Sequence, residues 1–318
     1  LRGKGLFDGH PFHIGIAGGY STDLARKLFG EADLLIGVGA ALGHWTTEAG
    51  KLFPKAQTIA IDTEPRGLWE GVRVADLHIQ ADARAAVNAM TGGLPAARDA
   101  SRTGFRSNAI AEEIAADAPD PRSFPAEPGM LDPRAAIMEI DAAVPKDFDV
   151  LVGNAHFTFI TMSHLKDRAA ERYHTINDFG AIGHALPAAA GVAAARRDGK
   201  VMLVEGDGSL LMTIQDLETI ARQDLKLLIV VMNDGGYGAE IHRLRPKGMN
   251  AAHTIFGRPH FAAMARAVGL RGETVNTLGD FDRLFEEHVQ SGRSTLWDVH
   301  VTNKIAARTF RRLYYNEA

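Results

Sequence analysis

Two short runs, Val201–Glu205 and Leu227–Met232, constrain this chain more than any other feature. Each has the length of one strand and is almost wholly apolar. Each stops abruptly at glycine and acid: Gly206-Asp207-Gly208-Ser209 after the first, Asn233-Asp234-Gly235-Gly236-Tyr237-Gly238 after the second. A strand that is apolar on both faces belongs in a sheet covered on both sides, the habit of parallel sheets. Helical patterns alternate with such runs along the chain, so the expected class is α/β, with two doubly wound parallel-sheet domains.

The 318 residues are comfortable for two domains. In the first part, strands are expected near His13–Ala17, Asp33–Val38, Thr58–Ile61 and Leu77–Ile79, with a helix from about Ser21 to Phe29 and a turn at Pro65. Residues 1–92 are read as one domain, incomplete at its start. Residues 93–130 change character: Gly, Ala, Asp and Arg dominate, with Pro95, Pro119, Pro121, Pro125 and Pro128, and they read as a linker holding one helix, about Asn108–Asp117. Residues 131–318 form the second domain. It opens on Asp132-Pro133, an N-cap followed by proline at the first helical position. Strands are expected near Asp149–Val152, Val201–Glu205, Leu227–Met232 and Leu296–Val301. The expected helices are about Ile182–Arg197, Ile214–Gln223, Pro259–Val268 and Phe281–Ser291.

A formal charge of −4 gives no electrostatic case for nucleic acid or an anionic membrane. The absence of cysteine rules out disulfides, Fe–S clusters and thiol nucleophiles and suits a cytoplasmic home. No apolar run approaches the roughly 20 residues of a membrane span. The chain starts at Leu1 rather than Met, so a processed or truncated product is expected.

Ligands of open α/β sheets sit beyond the carboxyl ends of the strands. Gly206 and Gly208 let the backbone come close to a ligand there. The helix expected next, with Leu210, Leu211, Ile214, Leu217, Ile220 and Ala221 on one side, would turn its N-terminal N–H groups to a phosphate. Asp207 and Asp234 place hard carboxylate oxygens at two strand ends, and two such ligands, a backbone carbonyl and phosphate oxygens suit octahedral Mg²⁺. Gly-Asp-Gly alone would be an ordinary turn; the paired strand ends make it a site.

Taken together, Gly206-Asp207-Gly208-Ser209 and Asn233-Asp234-Gly235-Gly236-Tyr237 resemble the GDG…NN motif of thiamine diphosphate enzymes. The resemblance implies metal ligands at Asp207, Asp234 and the carbonyl of Gly236, with Gly206, Gly208, Ser209 and Tyr237 around the cofactor. Asp234 stands where the motif has a second Asn, which adds a charge. Thr175–Ala190 is similar to the family's G-x-M-G-x-x-L-P-A-A segment. On that likeness Ile182 wedges the cofactor into its bent form and the Gly180 carbonyl meets the aminopyrimidine. Val152–His156 resembles the strand-end loop that reaches the diphosphate, through Asn154 and His156.

Gly3-Lys4-Gly5, His10-Pro11 and Ile61-Asp62-Thr63-Glu64-Pro65 are similar to the family's central, Rossmann-like domain in acetolactate synthases and their kin. Some of those bind FAD or a nucleotide there. Gly37-Val38-Gly39 lacks the third glycine of a dinucleotide fingerprint, so FAD has no motif to support it. The likeness places the pyrimidine-binding domain, with its activating glutamate, outside these residues, so the chain is expected to be inactive alone.

The resemblance implies a thiamine diphosphate- and Mg²⁺-dependent decarboxylase or carboligase acting on a 2-keto acid or similar carbonyl, in a homodimer or homotetramer. The alternative is a non-catalytic cofactor-binding or regulatory chain. Glu240 and His184 are the catalytic candidates. Glu240 stands where decarboxylase relatives carry an acid facing the substrate, and reads equally as a solvated helix acid. His184 follows Ile182 and reads also as a packed or solvated histidine.

Overall fold

The computed structural model describes residues 3–64, 68, 69, 71–94, 105–176 and 179–317. The turn expected at Pro65, the linker stretch 95–104 with Pro95, and Asn177-Asp178 of the motif segment lie outside them. The described residues of His10–Asp120 form one compact unit, and the remaining described residues form the other.

In the His10–Asp120 unit, α1 (Asp23–Glu31) begins at Thr22, whose hydroxyl accepts the Ala25 N–H. It leads to β1 (Leu34–Val38), α2 (His44–Thr47) and β2 (Gln57–Asp62). A small antiparallel hairpin, β3 (Leu68–Trp69) and β4 (Val72–Arg73), precedes β5 (Leu77–Gln80), α3 (Ala83–Gly93) and α4 (Asn108–Ala116). The main sheet is parallel in the order β1-β2-β5. The strand expected over His13–Ala17 is absent; Gly15 and Gly18 take φ of +82° and +80°, which an extended strand does not allow. The other three expected strands and α1 are present.

The second unit holds residues 3–9 as well as those from Pro121 onward. Lys4 Nζ lies 4.9 Å from the centre of the Tyr173 ring, and the Asp167 N–H donates to Asp8 at 2.9 Å. After α5 (Pro133–Ala143), capped by Asp132 at 2.8 Å from the Arg134 nitrogen, come β6 (Asp149–Val152), α6 (His156–His164) and β7 (Tyr173–Thr175). Next are α7 (Ala185–Arg196), β8 (Val201–Gly206), α8 (Asp207–Met212), α9 (Asp216–Arg222) and β9 (Leu228–Asn233). The chain ends with α10 (Gly238–Leu244), α11 (Phe261–Ala267), β10 (Arg271–Val275), α12 (Phe281–Ser291), β11 (Thr295–His300) and α13 (Arg308–Tyr314).

The six strands are all parallel, in the order β10-β11-β9-β8-β6-β7. Every residue of β6, β8 and β9 is buried, as continuous apolar runs require. Leu203, Ile229 and Val231 pack with Leu186 and Ala189 of α7, Leu217 and Ile220 of α9, and Phe261 of α11. Each such side chain contributes roughly 1.5–3 kcal/mol on burial. β7 and β10 are short strands whose mixed sequences gave no apolar run to find. The helix expected to run on after Gly-Asp-Gly breaks at Thr213 (φ −135°, ψ 26°) into α8 and α9. Among the described residues, no helix is long and apolar enough to cross a membrane.

Candidate active site at two adjacent strand ends

β8 and β9 lie side by side with Gly206 level with Met232, so Asp207 and Asp234 leave the sheet at neighbouring strand ends. Side chains alternate along a strand, and the alternation sorts the Asn-Asp pair. The Asn233 amide points into the sheet layer, donating to Asp298 at 2.8 Å and to the Pro259 carbonyl at 3.1 Å. Asp234 comes out toward Asp207.

Asp207 is 2% exposed. One of its oxygens accepts the Gly208 N–H at 2.7 Å; the other accepts the N–H of Gly235 at 2.7 Å and of Gly236 at 3.2 Å. Gly236 also donates to Asp234, at 3.2 Å. A bridge between Gly236 and Ile255 sets this up. It commits the Tyr237 N–H to the Thr254 carbonyl and the Phe256 N–H to the Gly235 carbonyl, which leaves the Gly236 N–H turned to the two acids. Gly235 sits at φ +82°, which favours glycine. A Cβ on Gly208 would fall 2.6 Å from the Tyr237 ring, and one on Gly206 2.9 Å from the Phe157 ring. Both glycines thus admit close packing against aromatic rings of the protein itself.

Burial pushes the carboxyl of Asp207 up, against the pull of its three backbone N–H groups and Arg258. Burial and then the neighbouring Asp207 push Asp234 well above the usual carboxylate range. Two acids in one dry site resist joint ionisation unless a cation joins them. Two carboxylates beside the Gly236 backbone are a hard-oxygen donor set, which fits Mg²⁺ carrying phosphate oxygens. Among the described residues, no group of three or more His, Cys, Asp or Glu could hold a metal. An ion here would therefore draw its other ligands from backbone, water and phosphate.

The loops beside these acids are tied to them. Asn154, at the end of β6, donates to the Gly180 carbonyl at 2.6 Å. Thr158 holds that turn by accepting the Ala155 N–H at 2.8 Å and donating to the Gly153 carbonyl at 2.5 Å. Gly183, directly after Ile182, is gripped twice: its N–H donates to Ser209 Oγ at 2.8 Å and its carbonyl accepts from Thr213 at 3.1 Å. Gly183 has φ +89°, and a Cβ there would sit 2.8 Å from the Met212 Cβ. The Ser209 hydroxyl thus anchors Gly183, next to the half-buried Ile182, and also bonds the Glu205 carboxyl. The Gly208 N–H, expected to face a phosphate, is likewise taken by Asp207.

His156 lies at the start of α6, with its ring near Gly238, the residue that adjoins the Asp234 carboxylate. It is buried, its Nε2 accepts the Ala307 N–H at 2.7 Å, and its ring lies tilted at 37° to that of His242, with centres 4.4 Å apart. Burial, then His242 and Arg311, hold it well below the usual histidine range, so it is a neutral packing group. Glu240 lies in the first turn of α10 with its side chain half exposed, 3.8 Å from Arg243. His184 is exposed at the start of α7, its ring 6.3 Å from that of the exposed Phe179.

Sequence reasoning passed over Glu205, Arg258, Thr213 and Asn303. Glu205 is fully buried, and its Oε1 accepts the Gly206 N–H at 3.0 Å. A Cβ on Gly153 would fall 2.2 Å from that oxygen. Burial pushes its carboxyl up to about 7. An acid closing an apolar strand was a visible signal. Arg258 and Asn303 both donate to the Asp234 carbonyl, at 3.4 and 3.0 Å, from sites far along the chain that no motif marks.

Two family models match. The thiamine pyrophosphate enzyme C-terminal TPP binding domain covers residues 152–299, and the thiamine pyrophosphate enzyme central domain covers residues 1–90. The acetolactate synthase of Arthrospira platensis is 27% identical over 315 residues, covering 95% of this chain and 53% of that protein. The acetolactate synthase large subunit of Parasynechococcus marenigrum (strain WH8102) is 28% identical over 314 residues, 95% of this chain and 49% of the relative. The acetolactate synthase isozyme 2 large subunit of Escherichia coli (strain K12) is 26% identical over 307 residues, 95% and 54%. The chain spans about half the length of these curated relatives.

Proposed function

We propose that this chain, which belongs to the thiamine pyrophosphate (thiamine diphosphate) enzymes by its central and C-terminal binding domains, holds the diphosphate and Mg²⁺ of the cofactor for a decarboxylase or carboligase of 2-keto acids. The observation that carries this reading is the facing pair Asp207 and Asp234 at adjacent strand ends, laced together by the N–H groups of Gly235 and Gly236. The cofactor, when bound, supplies a carbon nucleophile that attacks the substrate carbonyl and takes up the electrons released with CO₂.

The chain's own residues do the positioning. Asp207 and Asp234 provide the anionic ligands for the metal, and the Gly236 carbonyl a neutral one. Gly206 and Gly208 let the turn pack tightly against the Phe157 and Tyr237 rings, which sets the backbone that is to face the diphosphate. Ile182, braced through Gly183, supports the bent cofactor from below, and Gly180 offers its carbonyl to the pyrimidine. Glu240 and His184 remain proton-transfer candidates at the exposed rim. On the resemblance, the proposed substrates are keto acids, and a homodimer or homotetramer is the proposed assembly.

Calorimetry of the chain with thiamine diphosphate, with and without MgCl₂, tests the reading. Uptake that needs Mg²⁺ is expected; tight metal-independent binding, or no binding at any Mg²⁺ concentration, would refute it. A panel of 2-keto acids offered to the intact protein, with CO₂ release followed, then separates an enzyme from a cofactor-binding chain.

A further inference from the structure

Asp234 brings a second negative charge to a site where the resembled motif carries a neutral asparagine. Arg258 is the cation beside both acids: it borders Gly235, whose N–H binds Asp207, and the loop that bears Asp234. Its guanidinium is fixed against the loop that bears Asp234. Nη2 donates to the Asp234 carbonyl at 3.4 Å and to the Val301 carbonyl at 3.0 Å. The side chain lies over Gly235, where a Cβ would come 3.4 Å from its Cγ and 3.5 Å from Nη1. Its Nε is buried without a hydrogen-bond partner. Two other charged groups share the neighbourhood. Arg245 also carries a charge near Asp234, but it is held by the neutral Asn303, at 2.7 and 3.0 Å, and so contributes equally whether position 234 or 258 is changed. Glu127 feels Arg258, but it is held by Thr302 and by Lys304 at 2.9 Å.

We infer that Arg258 is the counter-charge that permits an acid at position 234, and that the two residues set the metal affinity of the site in opposite directions. The inference rests on the proposed reading of this site as one for Mg²⁺ and a diphosphate. The charge balance is simple. Asp207, Asp234 and Arg258 sum to −1, the same as one aspartate beside a neutral asparagine. The difference lies in distance. Asp234 would touch the ion and attract it strongly, whereas Arg258 stands behind the loop and repels it from farther off. Arg258 therefore acts on the metal through charge and not as a ligand, which makes it a positioning residue rather than a catalytic one. Removing Asp234 alone leaves that repulsion unopposed.

The test is calorimetric titration of MgCl₂ into the chain saturated with thiamine diphosphate. Asp234→Asn should weaken Mg²⁺ binding by more than about tenfold, and Arg258→Gln should tighten it by about three- to tenfold, the size of one interaction of about 1 kcal/mol. The double variant should come back to within about threefold of the wild type, because the two charge effects oppose. Arg258→Lys keeps the charge without the planar fork and should match the wild type, which a purely structural role for the guanidinium would not allow. Thiamine diphosphate affinity at saturating Mg²⁺ should not move in Arg258→Gln. An Mg²⁺ affinity that ignores Arg258→Gln in both backgrounds overturns the inference. So does a loss of thiamine diphosphate affinity at saturating Mg²⁺, which would make Arg258 a phosphate contact. A wild-type chain that takes up no Mg²⁺ with the cofactor overturns the functional reading, and this inference with it.

Discussion

Asp149 opens β6 and Asp207 follows β8, so two buried carboxylates stand at opposite ends of neighbouring strands in one sheet. Their surroundings differ in kind. Asp149 meets two guanidinium groups, Arg172 at 3.0 Å and Arg196 at 2.9 Å, with His174 at 3.9 Å. Asp207 meets three backbone N–H groups and, beyond them, another acid. Guanidinium ions cancel a charge, whereas amides only solvate it. The amino end of the sheet is therefore electrically finished by the protein, and the carboxyl end is left for something cationic to finish. Local stability and ligand capacity are separated along the length of a single strand pair.

The sharpest way to break this contrast is Asp207→Ala. Mg²⁺-dependent affinity for thiamine diphosphate should fall by at least about a hundredfold, or roughly 2.7 kcal/mol. The thermal midpoint of the ligand-free chain should hold or rise, because a costly buried carboxyl is gone. A lower midpoint with intact affinity, measured by calorimetry and thermal melts, would erase the distinction between the two ends. Asp149→Asn is the mirror experiment. It should lower unfolding stability by about 1–2 kcal/mol, because Arg172 loses its carboxylate while Arg196 keeps only Asp198, and shift cofactor affinity by less than about twofold. Urea unfolding and the same titration check both halves.

The smallest effect tests the amino end through pH. His288 of α12 is buried, with Nδ1 2.9 Å from the hydroxyl of Thr295, the first residue of β11. Burial, and then Arg271, lower its pKa from 6.5 to about 4. Between those values the unfolded chain takes up a proton that the folded chain refuses. The stability tied to a neutral His288 is thus whole above about pH 6.5 and is lost as pH falls toward 4. The slope is at most about 1.4 kcal/mol per pH unit. His288→Gln lacks this component, so the wild type should lose about 1–2 kcal/mol relative to the variant between pH 7 and pH 5 in urea melts. A difference that stays constant with pH would remove His288 from the account.

Much of this was legible in the residues. β8 and β9 were plain because a run such as Leu228–Val231 is apolar on both faces, and the acids that end them stand out by contrast. The pairing of Asp207 with Asp234 followed from two strand ends, since neighbouring strands share an edge. The break at Thr213 was hidden because Leu210, Leu211, Ile214 and Leu217 keep a helical period straight across it. The burial of His156 was not legible because sequence gives a loop residue no sign of it; its hydrogen bond with Ala307 joins positions 151 residues apart. Arg258 was invisible for the same reason. Its link to Asp234 spans 24 residues and ends on a backbone carbonyl, an acceptor open to any donor.

The double grip on Gly183 has a mechanical side. Ser209 and Thr213 hold the two faces of one peptide region, and they stand on the helix that begins at Asp207 and on the residue that ends it. The segment carrying Ile182 therefore has no hinge of its own at that point. When the short helix shifts, Ile182 and Asp207 travel together. On the proposed reading, loosening either hydroxyl would uncouple them, and the first thing to change would be the shape in which a bound cofactor is held, ahead of the strength with which its metal is gripped.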